Sequence, residues 1–276
     1  MIRLLNRLLN AITDGLLAPW AGLSPWIGLS VVSLLTAGIL VLLFHLSSDQ
    51  RALLRARNCF IARLLELLLF QHDFRVNLSA CGRILWANVG YLGALLRPML
   101  VATVPLVLIF IQLASWYEWR PLKIGEPIVL EVELDKSHSV ALTPVEVSLP
   151  AIAKLDSPAV RTLVTNELAW RLRAIGPGAG PITVHVAGTT ELKQLSVGAN
   201  LSRISPLRVR SSAWREVLYP SEQPLTVTGT VARIELTYPE RKLLLWGQEI
   251  HWSIAAVILM MIFGLLVGRL CGVNVA

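Results

Sequence analysis

Three long apolar stretches stand out in the pattern of hydrophobic and polar positions along the chain. They occupy residues 26–46, 98–117 and 251–270, and within them only Arg269, near the end of the third, is charged. Each has about the twenty residues that an α-helix needs to cross a hydrocarbon core of roughly 30 Å. Trp116 and Tyr117 end the second stretch, and such amphipathic rings favour the headgroup layer of a bilayer. The pattern therefore predicts three transmembrane helices.

A different periodicity precedes the first span. In residues 1–17 polar positions recur at helical spacing, with apolar positions on the opposite face. Pro19, Gly22 and Pro25 then interrupt the pattern, and no small-residue cleavage site comes before them. Residues 1–25 are therefore predicted to form an interfacial amphipathic helix that the mature protein keeps. The polar face has Arg3, Asn6, Arg7, Asn10 and Asp14, and the apolar face has Ile2, Leu5, Leu9, Ile12 and Leu16.

The segment between the first two spans, residues 47–97, is rich in arginine and leucine. Its apolar runs are too short to span a membrane, and Gln71-His72-Asp73 indicates a turn. We expect a cytoplasmic helical hairpin, with a second helix from about Asn77 into the second span. Its arginines are predicted to contact lipid phosphates or a partner protein. They are Arg51, Arg55, Arg57 and Arg63.

After the second span the period changes from helical to alternating. Residues 128–134 place apolar side chains at every second position, as in a strand that is buried on one face. Seven further strands are predicted up to residue 246, with Trp170 in the core and a short helix at 211–219. The pattern predicts an all-β sandwich over residues 118–250. An alternative is a helix at 158–174, which would make the domain α+β.

Composition and charge agree with a few spans joined to a soluble domain. The chain is 54% hydrophobic and only 16% charged, with a net charge of +7. Much of the excess lies in residues 47–98, which contain seven arginines and three acidic residues. By the positive-inside rule this loop and the tail 271–276 are cytoplasmic, whereas the N-terminus and residues 118–250 lie outside. We expect an integral protein of a bacterial inner membrane, and no nucleic-acid partner is predicted because no such motif occurs.

Catalytic and metal-binding motifs are absent from the sequence, so neither an enzyme nor a cofactor is predicted. Glu131 and Glu133 are paired on one predicted strand face, which is typical of a solvated strand. Polar residues within the spans are the better functional candidates, although uncharged ones also serve as interhelical hydrogen-bonding groups. The candidates for a groove between the spans are Ser33, Thr36, Arg97, Thr103, Gln112 and Ser115.

The order of these segments resembles a known family. An outside N-terminus, a span, a cytoplasmic helical hairpin, a second span and a last span ending Phe263-Gly264…Arg269-Leu270-Cys271 resemble the reduced three-span branch of the YidC/Oxa insertase superfamily. That branch includes the third subunit of the ER membrane protein complex and its archaeal relatives. The resemblance covers residues 26–119 and 251–273, and the β-domain is an insertion relative to it. It implies a cytoplasm-facing groove that admits hydrophobic segments of client proteins without covalent chemistry.

Two functional hypotheses follow. The first is a membrane-protein insertase or biogenesis factor with hydrophobic client proteins. The second is a non-catalytic, membrane-anchored scaffold whose β-domain binds an extracytoplasmic protein partner. Both place the protein in a lipid bilayer. A water-accessible groove is expected under the first hypothesis and packed, hydrogen-bonded helices under the second.

Overall fold

The computed structural model describes residues 2–47, 74–226 and 229–271, together with seven single positions between 55 and 65. Three helices in this part of the chain are long and apolar enough to cross a membrane: Pro25–Ser47, Pro98–Tyr117 and Trp252–Leu270. The three spans predicted from the sequence are thus present as helices. Cys59 and Cys271 are exposed, and neither forms a disulfide in the described residues.

The helices are continuous where the sequence predicted them. Helix α1 is Ile2–Leu17, a 3-10 turn covers Ala18–Trp20, and α2 is Pro25–Ser47. Helix α3, Phe74–Tyr117, joins the helix predicted from about Asn77 to the second span and passes through Pro98 and Pro105. Helix α4 is Ala213–Leu218 and α5 is Trp252–Leu270. The first arm of the predicted hairpin and its turn fall largely on residues 48–54 and 66–73, outside the described residues.

Eleven strands are present in the described chain, and every pairing between them is antiparallel. One sheet has the order β3-β5-β1-β9-β8, with β4 also paired to β5, and a second has the order β2-β6-β7. The pair β10-β11 forms a separate hairpin. The strands are β1 Pro127–Leu134, β2 Val145–Ser148, β3 Ala153–Leu155, β4 Val160–Thr162, β5 Glu167–Ala174, β6 Gly178–Val186, β7 Thr189–Val197, β8 Leu207–Val209, β9 Val231–Leu236, β10 Leu243–Leu245 and β11 Gln248–Ile250.

Side-chain alternation builds the core of this β-sheet domain. Every second residue of β1 is buried, and Leu130 faces Trp170 of β5 on one side and Leu236 of β9 on the other. Buried residues of the three-stranded sheet, such as Val184 and Leu195, belong to the same apolar cluster. The two sheets therefore share one hydrophobic core.

Strands, and not the alternative helix, occupy residues 158–174. These residues form the β4–β5 hairpin, because cross-strand pairing with β1 and burial of alternate residues outweigh the partial helical spacing. The short helix predicted at 211–219 is present as α4.

The chain divides into two compact units. One consists of residues 1–32 and 110–256, and the other of residues 33–109 and 257–276. The division falls inside each of the three long helices. The first two turns of α2, the last two turns of α3 and the first turn of α5 therefore belong to the same unit as the β-sheet domain.

A close helix contact is built into this first unit. The Tyr117 hydroxyl donates a hydrogen bond to the Pro25 carbonyl at 3.1 Å, so the end of α3 meets the start of α2. A Cβ atom added at Gly28 would lie 2.8 Å from that hydroxyl and 3.2 Å from Leu17. Glycine at position 28 thus permits the approach of the two helices.

Candidate functional site

The amphipathic helix α1 has its polar face on the β-sheet domain. Asn6 donates a hydrogen bond to the Glu216 carbonyl at 2.6 Å, and Asn10 donates one to the Pro220 carbonyl at 2.7 Å. Arg3 pairs with the Glu216 carboxylate at 3.3 Å. These side chains, which the sequence analysis assigned to a polar surface, are thus satisfied by protein.

The apolar face of α1 remains exposed. At 100° per residue, Leu4, Leu5, Leu8 and Ile12 are centred about 180° from the face that contacts the β-sheet domain. All four are more than a third exposed. Because a continuous apolar stripe favours the headgroup and acyl boundary of a bilayer, the prediction of an interfacial helix is compatible with this arrangement.

A polar junction centred on Arg203 fastens α1 and the end of α3 to the β-sheet domain. The Arg203 Nε atom donates to the Asp14 carboxylate at 2.9 Å, and Nη1 donates to Asn10 at 2.8 Å and to Gln112 at 3.0 Å. Nη2 donates to the Thr13 hydroxyl at 2.8 Å. Every guanidinium nitrogen therefore has an acceptor. We refer to Asn10, Thr13, Asp14, Gln112 and Arg203 as the Arg203 junction.

The surroundings of the Arg203 guanidinium include both an apolar environment and an opposite charge. Burial lowers the pKa of the Arg203 guanidinium, and the Asp14 carboxylate opposes that shift. The guanidinium carbon also lies 6.0 Å from the centre of the Trp116 ring, within the range of a cation–π contact. Next to it, the Ile204 amide donates to the Ser115 carbonyl at 2.8 Å. The arrangement suits a rigid attachment, because a largely buried cation whose guanidinium nitrogens all have acceptors has none left for a ligand.

A second buried charge lies on β7, on the same face of the strand as the core residues Leu195 and Val197. Lys193 of β7 is fully buried, and its ammonium group donates to the Glu222 carboxylate and to the Ser205 carbonyl, each at 2.5 Å. The other Glu222 oxygen accepts the Gln194 amide at 3.0 Å. Burial lowers the pKa of Lys193 below its ordinary value, and the Glu222 carboxylate only partly offsets this shift. This pair ties the segment around residue 222 to β7.

A cavity of about 150 Å³ lies along the seam between α1 and the β-sheet domain. Five arginines line it, and three of them pair with carboxylates: Arg3 with Glu216, Arg208 with Glu191 and Arg210 with Asp135. Hydrogen bonds from Ser137 and Arg210 lower the pKa of Asp135 to about 2. Most of the positive charge on the cavity walls is therefore neutralised by carboxylates of the same chain. The other two arginines are Arg7 and Arg215.

The residues predicted to line a groove belong partly to one compact unit and partly to the other. Gln112 is 2% exposed within the Arg203 junction, and Ser115 donates to the Gln112 carbonyl of its own helix at 2.7 Å. In the other unit, Ser33 and Thr36 are buried. Thr103 is exposed and donates to the Met99 carbonyl at 2.8 Å. The Arg97 side chain lies outside what the structure describes.

The arginines predicted to contact lipid or a partner are only partly described. Arg55 and Arg57 have helical backbone conformation and are exposed, and each makes at least one interaction. Arg51 and Arg63 lie outside the described residues. Their predicted role remains a prediction.

An apolar patch lies beside Leu134, the last residue of β1. Strand β1 begins ten residues after the end of α3, and its eight residues extend about 26 Å to Leu134. Next to Leu134, the 137–143 loop, strand β4 and the β4–β5 turn expose four apolar side chains. We call this set the distal patch, and it consists of Leu142, Val160, Leu163 and Val164.

Asn166 fixes the distal patch in place. Its backbone is in the left-handed region, with a φ of 57°, which asparagine tolerates better than most residues. Its side chain accepts the Val140 amide at 2.9 Å and donates to the His138 carbonyl at 2.8 Å. Arg161 donates to the Val140 carbonyl at 3.1 Å. The loop and the turn are therefore held together by hydrogen bonds, so the exposed side chains have a defined arrangement.

Arg203, Lys193 and Asn166 were not predicted as functional or structural residues from the sequence. No sequence pattern distinguishes Arg203, because it is one of 25 basic residues and its hydrogen-bond acceptors lie 91 to 193 positions away in the chain. The polar stripe of α1 gave a partial signal, because its spacing showed a surface that needed hydrogen-bonding partners. Within the described ranges, no group of three His, Cys, Asp or Glu side chains is placed to hold a metal ion.

No family model, curated protein or solved structure matches this chain. The class of protein is therefore defined by the structure alone. In its described residues the chain has three helices apolar enough to span a membrane, and a β-sheet domain that contacts the end of α3 through part-buried polar side chains.

Proposed function

We propose that the protein is a non-catalytic, membrane-anchored scaffold whose β-sandwich binds an extracytoplasmic protein through the distal patch. The observation that supports this best is the exposure of four apolar side chains held in one arrangement by Asn166 and Arg161. Val164 is 95% exposed. Contiguous apolar surface on a soluble domain is typical of a protein interface.

The arrangement of helix ends supports an orientation for this scaffold. The start of α2, the end of α3 and the start of α5 all belong to the unit that contains α1 and the β-sheet domain. Under our proposal this unit lies outside the cytoplasm of a bacterial inner membrane. The arginine-rich segment 48–73 and the C-terminal tail then lie in the cytoplasm, in agreement with the positive-inside rule.

A second candidate function is the insertase suggested by the family resemblance. One observation favours it: the buried Ser33 hydroxyl has no hydrogen-bond partner among the described residues. A polar group of this kind within a span is a candidate for contact with a client or with water. Gln112 and Ser115, in contrast, are already hydrogen-bonded within the first unit. A groove would therefore depend on Ser33, Thr36 and Thr103.

Site-specific photocrosslinking in growing cells tests both proposals. A photoreactive residue at Val164 is expected to give one stable protein adduct of defined mass, while the same residue at Lys154, on an exposed part of β3, gives none. Leu163→Lys should abolish the Val164 adduct without lowering abundance, because Leu163 is exposed.

The outcomes that contradict the scaffold are specific. Adducts with many nascent chains at Thr36 or Thr103, and none at Val164, would establish the insertase. A Val164 adduct that is unchanged by Leu163→Lys would show that the distal patch is not the binding surface.

A further inference from the structure

The hairpin β10–β11 ends in an exposed indole. Leu244 and Leu245 are exposed, and Trp246 at the tip is 96% exposed. Leu243 is buried and holds the base of the hairpin. An isolated two-stranded hairpin is marginally stable in water, so this small element depends on its surroundings.

The turn residue itself is unusual. Trp246 and Gly247 have φ values of 50° and 83°, which is the two-residue turn with positive φ at both central positions. Asparagine or glycine is preferred at the first of these positions, because a bulky side chain in the left-handed region costs about 1 kcal/mol or more. Local structure therefore does not explain tryptophan here. Its side chain must serve another purpose.

The position of the hairpin suggests that purpose. The Trp26 indole, in the first turn of α2, donates to the Leu244 carbonyl at 3.1 Å. Helix α5 begins at Trp252, two residues after β11 ends, and the Trp252 ring lies 5.8 Å from Phe110 of the second span. The hairpin is thus hydrogen-bonded to the start of α2 and directly continuous with α5. Just before the hairpin, the Arg241 amide donates to the carbonyl of Glu118, which follows the end of α3, at 2.9 Å. Trp246 lies four residues from Ile250, so it can be no more than about 14 Å away.

We propose that the β10–β11 hairpin inserts Trp246 and Leu244 into the headgroup and acyl boundary of the bilayer. Tryptophan and leucine favour this layer, and the hairpin is directly continuous with a span. The ion pair between Lys242 and Glu249, 2.6 Å apart, neutralises charge at the base of the hairpin. With the apolar face of α1, the hairpin would give the β-sheet domain a second contact with the membrane surface, independent of any partner at the distal patch.

Tryptophan fluorescence of the full chain in lipid nanodiscs tests this inference. Trp246→Asn is the informative variant, because asparagine suits the turn and only the indole is lost. The emission of Trp246 is obtained as the difference between the wild type and Trp246→Asn. We expect brominated phospholipids to quench this difference signal at least about twofold, as for an indole at headgroup depth.

The control is Val164→Trp, which adds an indole at an equally exposed position of the distal patch. Its added emission should be quenched by aqueous iodide and not by brominated lipid. Trp246 emission that responds to iodide as strongly as that control, and not to brominated lipid, would overturn the proposal. Protein adducts from a photoreactive residue at position 246, in place of lipid adducts, would also overturn it and would assign the hairpin to a protein partner.

Discussion

The core of the β-sheet domain and the Arg203 junction are stabilised by different kinds of contact. The core consists of alternating apolar side chains from neighbouring strands, such as Leu130 and Trp170, which pair across 40 residues. The junction consists of polar side chains that meet from α1, α3 and the segment after β7. Arg203 is 189 residues from Asp14 and 91 from Gln112.

The difference concerns what each region specifies. The hydrophobic effect has no preferred direction, so burial of the core mainly contributes to the free energy of folding. A guanidinium with acceptors on two helices fixes their positions relative to the β-sheet domain, because each hydrogen bond has its own direction. We therefore expect core substitutions to unfold the domain, and junction substitutions to loosen the attachment of α1 and α3 while the domain stays folded.

The largest effect is expected for Trp170→Ala. Trp170 is 5% exposed, and truncation of a buried tryptophan destabilises a domain by about 3 to 5 kcal/mol. Thermal unfolding of the detergent-solubilised protein, followed by near-UV circular dichroism, measures the change. Trp214→Ala is the matched control, since Trp214 is exposed and should cost little. Equal effects of both substitutions would show that Trp170 does not belong to the core.

An intermediate effect is expected for Arg203→Met, which keeps much of the side-chain volume and removes the donors. It leaves Gln112 and Thr13 buried without the cation, at a cost of about 2 to 3 kcal/mol to the attachment. Hydrogen exchange should rise in α1 and in residues 110–117, whereas β1 and β5 stay protected. Arg215→Met is the control at an exposed arginine. Deprotection of β1 to the same extent would mean that the junction and the core unfold together.

The smallest effect is expected for Asp14→Asn. The Asp14 side chain is about half exposed, and such ion pairs contribute about 0.2 to 1 kcal/mol, which salt screens. The difference between variant and wild type should therefore shrink when NaCl is raised from low to high concentration in the same exchange measurement. A difference that is independent of salt would indicate that Asp14 acts as a hydrogen-bond acceptor and not through its charge.

Local patterns accounted for most of the fold. The three spans follow from length and composition, and β1 follows from strict alternation. The strands β3, β8 and β11 were not predicted, and each has only three residues, too few to show a period.

The site was less accessible to sequence reasoning, for a physical reason. Gln112 was predicted to matter as a polar group within a span, and the structure shows it buried and hydrogen-bonded. Which partner it meets depends on contacts across 91 and 99 residues, and no local pattern specifies them. Trp246 was placed at the end of a predicted strand, and its left-handed backbone at a hairpin tip became visible only in three dimensions.

The long separation between Asp14 and Arg203 also has a consequence for biosynthesis. At roughly 5 to 20 residues per second, the ribosome makes Arg203 about 10 to 40 seconds after Asp14. During that delay Asn10, Thr13 and Asp14 have no cation to bind, and water or lipid headgroups must satisfy them. The exposed apolar face of α1 would allow the helix to bind the membrane surface until Arg203 is synthesised. Completion of the β-sheet domain then captures α1 and the end of α3 in a single late step.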